Sequence, residues 1–499
     1  MLHRATHLLL WTIFIAPLAA NAQENFGDFA NQVFGTINHT YAQFLFWEVP
    51  LIKLPLILAI MVFGGVFFTF RYSFVNIKLF KHAIDVVRGK YDDPEDEGEI
   101  SHFQALTSAL SATVGLGNIA GVAVAIGTGG PGAIFWLWLA AFFGMCMKFS
   151  SCTFALLYRG KDSQGEMLGG PMVYLEKAFA EKGLAKLGKV MGVYFASMTI
   201  LASFGGGNLF QANQTYEIIK QQFPTANALV VGVTLAFFVG IVIIGGIKRI
   251  GEVTSKLVPA MCAFFVLTCL IIIFSNLSEV PAMIASIFAG AFTPDAAYGG
   301  FLGVMIQGLR RASFSNEAGL GSASIAHAAA KTDEPVREGV VAMIGPVIDT
   351  IIVCTMTALT ILITNAHTDP ALKGKGVEIT STAFATLGSF MPYLLMLAII
   401  IFAYSTVISW SYYGERCSEY LFGKMIGKKA ITIYRVCYVF IIILGPVLSL
   451  QNVVEFADLM LLSMAFPNIL GMIYLSKTVK NKVDDYVTRY KAGEMKTFN

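Results

Sequence analysis

Ser111-Ala112-Thr113-Val114-Gly115-Leu116-Gly117-Asn118 lies inside an apolar run, with two glycines within three residues where an unbroken helix is otherwise expected. A second octet, Ser315-Asn316-Glu317-Ala318-Gly319-Leu320-Gly321-Ser322, aligns with it without gaps and repeats the serine and the Gly-Leu-Gly. Each glycine weakens a helix by roughly 1 kcal/mol relative to alanine and lets the backbone approach whatever lies beside it. Unwinding there frees N–H and C=O groups that hydrocarbon cannot satisfy. Paired interruptions in two halves of a chain point to the ligand site of a secondary transporter. There a half-helix N-terminus offers N–H groups to a carboxylate and freed carbonyls coordinate a cation. The other use of such glycines is close helix packing. Asn118 favours binding at the first octet, because a carboxamide at mid-membrane needs a partner, and Thr113 adds a hydroxyl at the same depth.

The surrounding composition sets the class. Of 499 residues, 56% are hydrophobic and 13% charged, against roughly a quarter charged in a soluble domain. The apolar residues come in blocks of about twenty, the length that crosses a bilayer. Eleven spans are expected, near 51–71, 103–127, 131–157, 190–219, 226–246, 257–276, 299–330, 338–364, 391–413, 430–449 and 455–476. The net charge of +3 and the lack of a basic stripe interleaved with aromatics exclude nucleic acid as a partner. Residues 1–22 read as a leader: Arg4 opens it, Leu8 to Ala20 is apolar, and Ala20-Asn21-Ala22 is an A-x-A site. An uncleaved short anchor is the other reading.

Charge placement predicts the topology. Lys78, Lys81, Arg88 and Lys90 fall in the first inner loop, and Arg159, Lys161, Lys177, Lys182, Lys186 and Lys189 in the second. Lys248, Arg249, Lys256, Lys331, Arg337, Arg416, Lys424, Lys428, Lys429 and the basic tail continue the bias, against Lys220, Lys373 and Lys375 outside. The positive-inside rule then gives an outer N-terminus and an inner C-terminus. The acidic run from Asp92 to Glu99 reads as a solvated loop. The expected organisation is a leader at 1–22, a polar outer segment at 23–50, and an extra helix with its inner loop at 51–102. A first repeat at 103–276, a second at 277–476 and an inner tail at 477–499 follow. Each octet opens a block of five spans, and five being odd, the blocks run in opposite senses. The seven cysteines are scattered without CxxC and no HExxH, GxSxG or P-loop is present, so neither a disulfide or zinc framework nor an enzyme is expected. Arg310, Arg311, Glu317 and Asp349 are ionisable within spans, which marks them as gate or proton-relay candidates or as an internal ion pair, such as Arg311 with Glu317 or Asp349.

At these residues the chain resembles the alanine/glycine:cation symporter family. The marks are Gly129-Gly130-Pro131-Gly132-Ala133-Ile134-Phe135-Trp136-Leu137-Trp138, with Leu137 where the family has methionine, and Phe314-Ser315-Asn316-Glu317-Ala318-Gly319-Leu320-Gly321 followed by Ala326-His327-Ala328. Ser405-Thr406 with Trp410-Ser411-Tyr412-Tyr413-Gly414-Glu415, and Gly169-Gly170-Pro171-Met172, complete a set covering about 50 to 475. The resemblance implies an all-α LeuT-type fold of two inverted five-helix repeats, here with one extra N-terminal helix. It implies uptake of alanine or glycine with sodium by alternating access, across the inner membrane of a prokaryote. Carried over, Thr113, Gly115, Gly117 and Asn118 would line the substrate site from span two, and Phe204 and Gln211 from span four. Phe314, Asn316 and Gly319 would line it from span seven and Trp410 from span nine. The fold analogy implies a sodium cage from the Val114 carbonyl and the Ser405 and Thr406 hydroxyls, with Asn118 close by; these are hard oxygen donors. The two hydroxyls could instead bond back to their own helix. The chain departs from the family at Arg311-Ala312-Ser313-Phe314, where the family has Arg-Gly, and alanine stiffens that approach to the break.

The expected partners are a small amino acid, sodium and the lipid bilayer, with no cofactor beyond sodium as coupling ion and the oligomeric state left open. The alternatives are a proton-coupled carrier, with Glu317 as relay, or a carrier of another small amino acid. An ion channel is more distant, since no filter sequence or arginine-rich voltage helix is present.

Overall fold

The structure, a computed structural model, describes residues 16–50, 53–162, 165–292 and 300–498, with side chains from residue 27 onward. The leader expected at 1–22 falls mostly on residues 1–15, outside the described residues. Each apolar block is helical, the one open-ended way for a chain to bond all its backbone groups within the segment that carries them. In chain order the main helices are α1 (Ala16–Leu45), α2 (Leu56–Arg71), α3 (His102–Thr113), α4 (Val122–Gly129), α5 (Ala133–Tyr158), α6 (Ala185–Phe204), α7 (Phe210–Gln222), α8 (Ala228–Ile243) and α9 (Gly246–Ser275). They continue with α10 (Val280–Phe292), α11 (Gly300–Asn316), α12 (Ala323–His327), α13 (Pro335–Ala342), α14 (Thr355–Ile363), α15 (Val377–Ala385), α16 (Met391–Ile426), α17 (Lys429–Ile442) and α18 (Leu450–Lys491).

All eleven expected segments fall on helices. Among the described residues, seven helices are long and apolar enough to cross a membrane, and the bent pair of α3 with Gly117–Gly129 makes an eighth. α2, α8 and Leu277–Phe292 are apolar but shorter. The inner bundle is built from α3, α5, α16 and α18, whereas α8, α9 and α17 turn Phe237, Leu267, Phe274 and Phe440 outward, the face a bilayer covers.

Two segments outside the eleven expected spans are helical. The polar stretch 23–50 lies mostly within α1, which docks on α18: Asn38 Nδ2 donates to Asn452 O at 2.9 Å, and Asn452 Nδ2 donates to Asn31 O at 3.0 Å. Asn31 and Asn38 are used along that contact. Residues 280–292, expected as a loop before span seven, form α10 on α5. Gly132 allows this, since a Cβ there would lie 2.2 Å from Gly290 C. Trp136 Nε1 donates to Ala291 O at 3.1 Å, and Phe135 packs against Phe288 and Phe292. The Gly-Gly-Pro-Gly stretch with its Phe and Trp is thus the seat of α10. The seven cysteines are free.

Candidate functional site

α3 ends at Thr113, and the chain crosses three residues before a wide π-helical turn, Gly117–Gly121, leads into α4 at a bend of 52°. Neither Gly115 nor Gly117 has positive φ; both are glycines for closeness. A Cβ on Gly115 would lie 2.4 Å from Thr406 Oγ1, and one on Gly117 would lie 2.8 Å from Phe314 Cδ1. Side chains satisfy the freed backbone groups. Gly115 N–H donates to Asn118 Oδ1 at 3.2 Å and Leu116 N–H to Gln211 Oε1 at 3.4 Å. Thr406 Oγ1 donates to Ser111 O at 3.0 Å, and Trp410 Nε1 to Ala112 O at 3.2 Å.

The second break has a different construction. α11 continues through Ala312, as the stiffer residue predicts, and stops at Asn316. Glu317, Gly319 and Gly321 then take left-handed φ of 55°, 85° and 93° before α12. Asn316 Oδ1 accepts from Ala318 N–H at 2.9 Å and Asn468 Nδ2 donates to Gly319 O at 2.8 Å, capping the released backbone. Two further π-helical stretches, Gly205–Leu209 and Val347–Cys354, approach the same place; such bulges are frequent at functional sites.

Between the breaks lies a narrow cavity of about 10 Å³, room for about one water, lined by Ala112, Thr113, Gly115, Gly117, Gly206, Gln211, Phe314, Trp410 and Leu461. Every residue lining it is buried. Larger hollows lie on the bundle's flank, the biggest lined by apolar residues such as Phe44, Val190 and Phe466. That one is almost wholly apolar, whereas this cavity brings Thr113 and Gln211 together.

Six residues expected from the sequence meet at the cavity wall: Thr113, Gly115, Gly117, Gln211, Phe314 and Trp410. Asn118 sits beneath, its Nδ2 reaching Asp349 O at 2.8 Å and Ser315 Oγ at 3.3 Å, so it ties the first break to the second and to Val347–Cys354. Asn316 points to Thr350 Oγ1 at 3.1 Å, beside the cavity but not on its wall. Gly319 faces Ile469 and Met147, and Phe204 stacks on Tyr434 with ring centroids 5.8 Å apart; neither is on the wall. Gly206 and Leu461 are, although the motifs did not single them out.

The oxygen-rich groups fall in two sets. Thr406 bridges α16 to α3 as above, while Ser405 Oγ bonds back to Phe402 O at 2.9 Å and Ser405 O accepts from Ser111 Oγ at 2.8 Å. Val114 ends α3, its N–H bonded to Leu110 O. The second set surrounds Asp349, which is fully buried. One carboxylate oxygen meets the Thr350 hydroxyl and Ser315 Oγ, the latter at 3.3 Å, and the other has no hydrogen-bond partner. Among the described residues no group of three His, Cys, Asp or Glu could hold a metal, so any cation here is held by hydroxyls, amides, carbonyls and a single carboxylate.

Arg311 pairs with neither Glu317 nor Asp349. Its partner is Asp458 on α18, which Arg310 also meets at 2.8 Å, and its guanidinium lies 5.5 Å from the Phe314 ring. Glu317 bonds the Ser322 hydroxyl within its own break. Lys148, buried on α5, donates to Asn316 O at 3.1 Å and is the positive charge felt by both Glu317 and Asp349. A lone lysine in Met145-Cys146-Met147-Lys148-Phe149 was the signal that could have found it.

The model of the sodium:alanine symporter family matches residues 38–499. The chain is 43% identical over 427 residues to the sodium/alanine symporter AgcS of Methanococcus maripaludis, covering 85% of this chain and 92% of that protein. It is 36% identical over 446 residues to a Bacillus subtilis protein named "Probable sodium/glutamine symporter GlnT", covering 89% and 90%. The crystal structure of MhsT in complex with L-phenylalanine shares the fold, with a TM-score of 0.55 at 16% identity over 76% of this chain and 88% of that one. With its apolar helices, two broken segments and a match along nearly its whole length, this multi-pass membrane chain belongs to the sodium:alanine symporter family.

Proposed function

We propose that the chain imports a small neutral amino acid, alanine or glycine, together with sodium, by alternating access. The observation that carries this is the small buried cavity enclosed by two broken helices and walled by Thr113, Gln211, Phe314 and Trp410. Broken helices present both N–H groups and carbonyls at one depth, which suits a zwitterion and a cation at once. The space is small and two of its walls are aromatic, which favours a short side chain. The name of the archaeal relative supports alanine and sodium. That of the Bacillus protein indicates that substrate size varies within the family, and the narrow cavity argues for the small end here.

Sodium has two oxygen sets to draw on: Val114 with Ser405 and Thr406, and Asp349 with Ser315, Thr350 and Asn118. The unpartnered Asp349 oxygen supports the second as the seat of a positive charge, since a buried carboxylate without a cation is costly. A proton taken by Asp349 or Glu317 is the alternative coupling. Arg311 with Asp458, packed over Phe314, suits the gate on one side of the cavity. The inner-loop charges support eleven spans with N-terminus outside and C-terminus inside, in a prokaryotic inner membrane.

The test is radiolabelled alanine uptake into proteoliposomes under an inward sodium gradient or an equal potassium gradient, at matched pH and membrane potential. Uptake that needs sodium and is lost in Asn118→Ala with the protein still inserted supports the function and the site. Equal uptake in potassium that follows an imposed proton gradient would overturn sodium coupling. No alanine uptake under any gradient would overturn the substrate.

A further inference from the structure

A second buried cluster lies away from the cavity, at the far ends of the two broken segments. His102 is the first residue of α3, and His327 is the last of α12. Glu338, in the first turn of α13, accepts hydrogen bonds from both: from His102 Nδ1, and from His327 Nδ1 at 2.5 Å. All three side chains are at most 1% exposed. Eleven residues separate His102 from Thr113 on the cavity wall, so the cluster lies about 16 Å from the cavity along α3, at 1.5 Å per residue.

The backbone at this level forms a seal. Glu99 and Ile100 N–H both donate to Ala329 O, at 2.8 and 3.2 Å, and Lys331 N–H donates to Ile100 O at 2.8 Å. Arg159, at the end of α5, straddles the join. It donates to Ala328 O and Ala330 O on one side and to Glu97 O and Thr332 O beyond, at 2.6 to 3.1 Å. The segment entering the first broken helix is therefore zipped to the segment leaving the second. A path from the cavity to this face that runs between the two broken segments has to part residues 97–102 from 327–332.

The histidines differ from members of a fully satisfied structural network. The Nε2 atoms of both His102 and His327 are buried without a hydrogen-bond partner; the nearest carboxylate oxygen to the former is Asp92 Oδ1, at 3.9 Å. A bare ring nitrogen disfavours the closed arrangement, and water would relieve it on opening. The two hydrogen bonds to Glu338 therefore hold the seal while the unpaired nitrogens keep the gap between closed and open states small.

We propose that Glu338, clasped between His102 and His327, is the latch of this seal, the contact that parts when amino acid and cation leave the cavity on this side. The proposal rests on the alternating-access reading above. It makes Glu338 a positioning residue that sets the balance between closed and open states without touching the substrate.

The test is hydrogen–deuterium exchange on the purified full chain, wild type against Glu338→Gln, paired with uptake kinetics in proteoliposomes. Exchange in peptides spanning 97–102 and 327–332 should rise at least tenfold with the rest of the bundle unchanged, and the maximal uptake rate should fall while the half-saturating alanine concentration stays within about twofold. Unchanged exchange in both segments, a rise spread across the whole bundle, or a local rise with an unaltered rate would each overturn the latch. If Glu338→Gln does not fold, Glu338→Asp, one methylene shorter, is read by the same criteria, and failure of both to fold would assign the cluster a purely structural role and overturn the proposal. The exchange measurement needs no substrate, so a chain that carries no alanine would refute the transport reading separately.

Discussion

Gly115→Ala is the sharpest perturbation of the first break. The added Cβ would lie 2.4 Å from Thr406 Oγ1, and the next atoms, Thr406 Cβ and Gln211 Oε1, are at 3.4 and 3.5 Å, ordinary contact. One atom therefore carries the whole conflict. It cannot swing aside freely, because Thr406 Oγ1 donates to Ser111 O at 3.0 Å and thereby joins α16 to α3. Relief requires the two helices to separate by about 1 Å or the hydrogen bond to break, and overpacking of this kind costs about 1–3 kcal/mol. Expressed in uptake efficiency, that is a loss of about 5- to 160-fold at 1.36 kcal/mol per decade. Thr406→Ala removes the offending oxygen, at the expense of one hydrogen bond and of a hydroxyl proposed to hold sodium. In that background Gly115→Ala should change uptake by no more than about twofold, a coupling of the size expected between touching residues. The assay is sodium-driven alanine uptake in proteoliposomes for all four members of the cycle, normalised to inserted protein. Wild-type uptake by Gly115→Ala, or an equal loss in both backgrounds, would refute the reasoning that this glycine is needed for approach to Thr406.

Three further outcomes follow from other contacts. Arg311→Ala leaves Asp458 buried with only Arg310, so stability should fall toward the 3–5 kcal/mol typical of a stranded buried charge. Arg311→Ala with Asp458→Asn should recover part of it in thermal melts, and a double variant no better than the single would contradict the pairing. Trp410→Leu should enlarge the cavity and shift competition for uptake toward larger neutral amino acids by about tenfold or more; unchanged selectivity would remove Trp410 from the wall. Outside the spans, burial, with Arg337 nearby, holds the His82 imidazole down at about 4. The unfolded chain takes up that proton near pH 6.5, so this contribution to stability is complete above pH 6.5 and is lost as pH falls toward 4. Between pH 7 and 5 the wild-type melting temperature should drop more steeply than that of His82→Gln, and parallel curves would refute it.

The helices were legible because hydrocarbon permits little else: a block of twenty apolar residues has one way to bond its own backbone. The cavity was legible because Gly115, Gly117 and Asn118 make little sense in an ordinary lipid-facing helix. What stayed hidden depends on contacts between distant segments. Arg311 finds Asp458 147 positions away, and no local pattern distinguishes that partner from Glu317 six residues on. Lys148 was visible as a charge in an apolar run and Glu338 as one at the edge of another, but their meaning comes from Asn316 on one side and from two histidines on the other. α10 was read as loop because its 13 residues are too few to span a bilayer. Phe204 shows why a motif marks a neighbourhood rather than a face. The π-helical turn at Gly205–Leu209 changes the helical phase just after it, so Gly206 and Gln211 face the cavity while Phe204 turns to Tyr434.

The two octets share letters but not mechanics. In the first, the glycines have ordinary backbone angles and are small because Thr406 and Phe314 press against them. In the second, Gly319 and Gly321 are needed for left-handed angles of 85° and 93° that an L side chain rarely adopts. The first break is therefore a packing joint, whose bend depends on how closely α3 approaches α16. The second is a backbone joint, set by its own left-handed angles and tied to Asn468 on α18 and Lys148 on α5. A small residue that relieves crowding can restore a damaged first break, as the Thr406 cycle would test. No change in a neighbour can restore a β-branched residue placed at Gly321, because its strain lies in the chain itself. If one half of the bundle rocks against the other, the movable contact belongs to the first joint, and the second supplies the fixed geometry against which it moves.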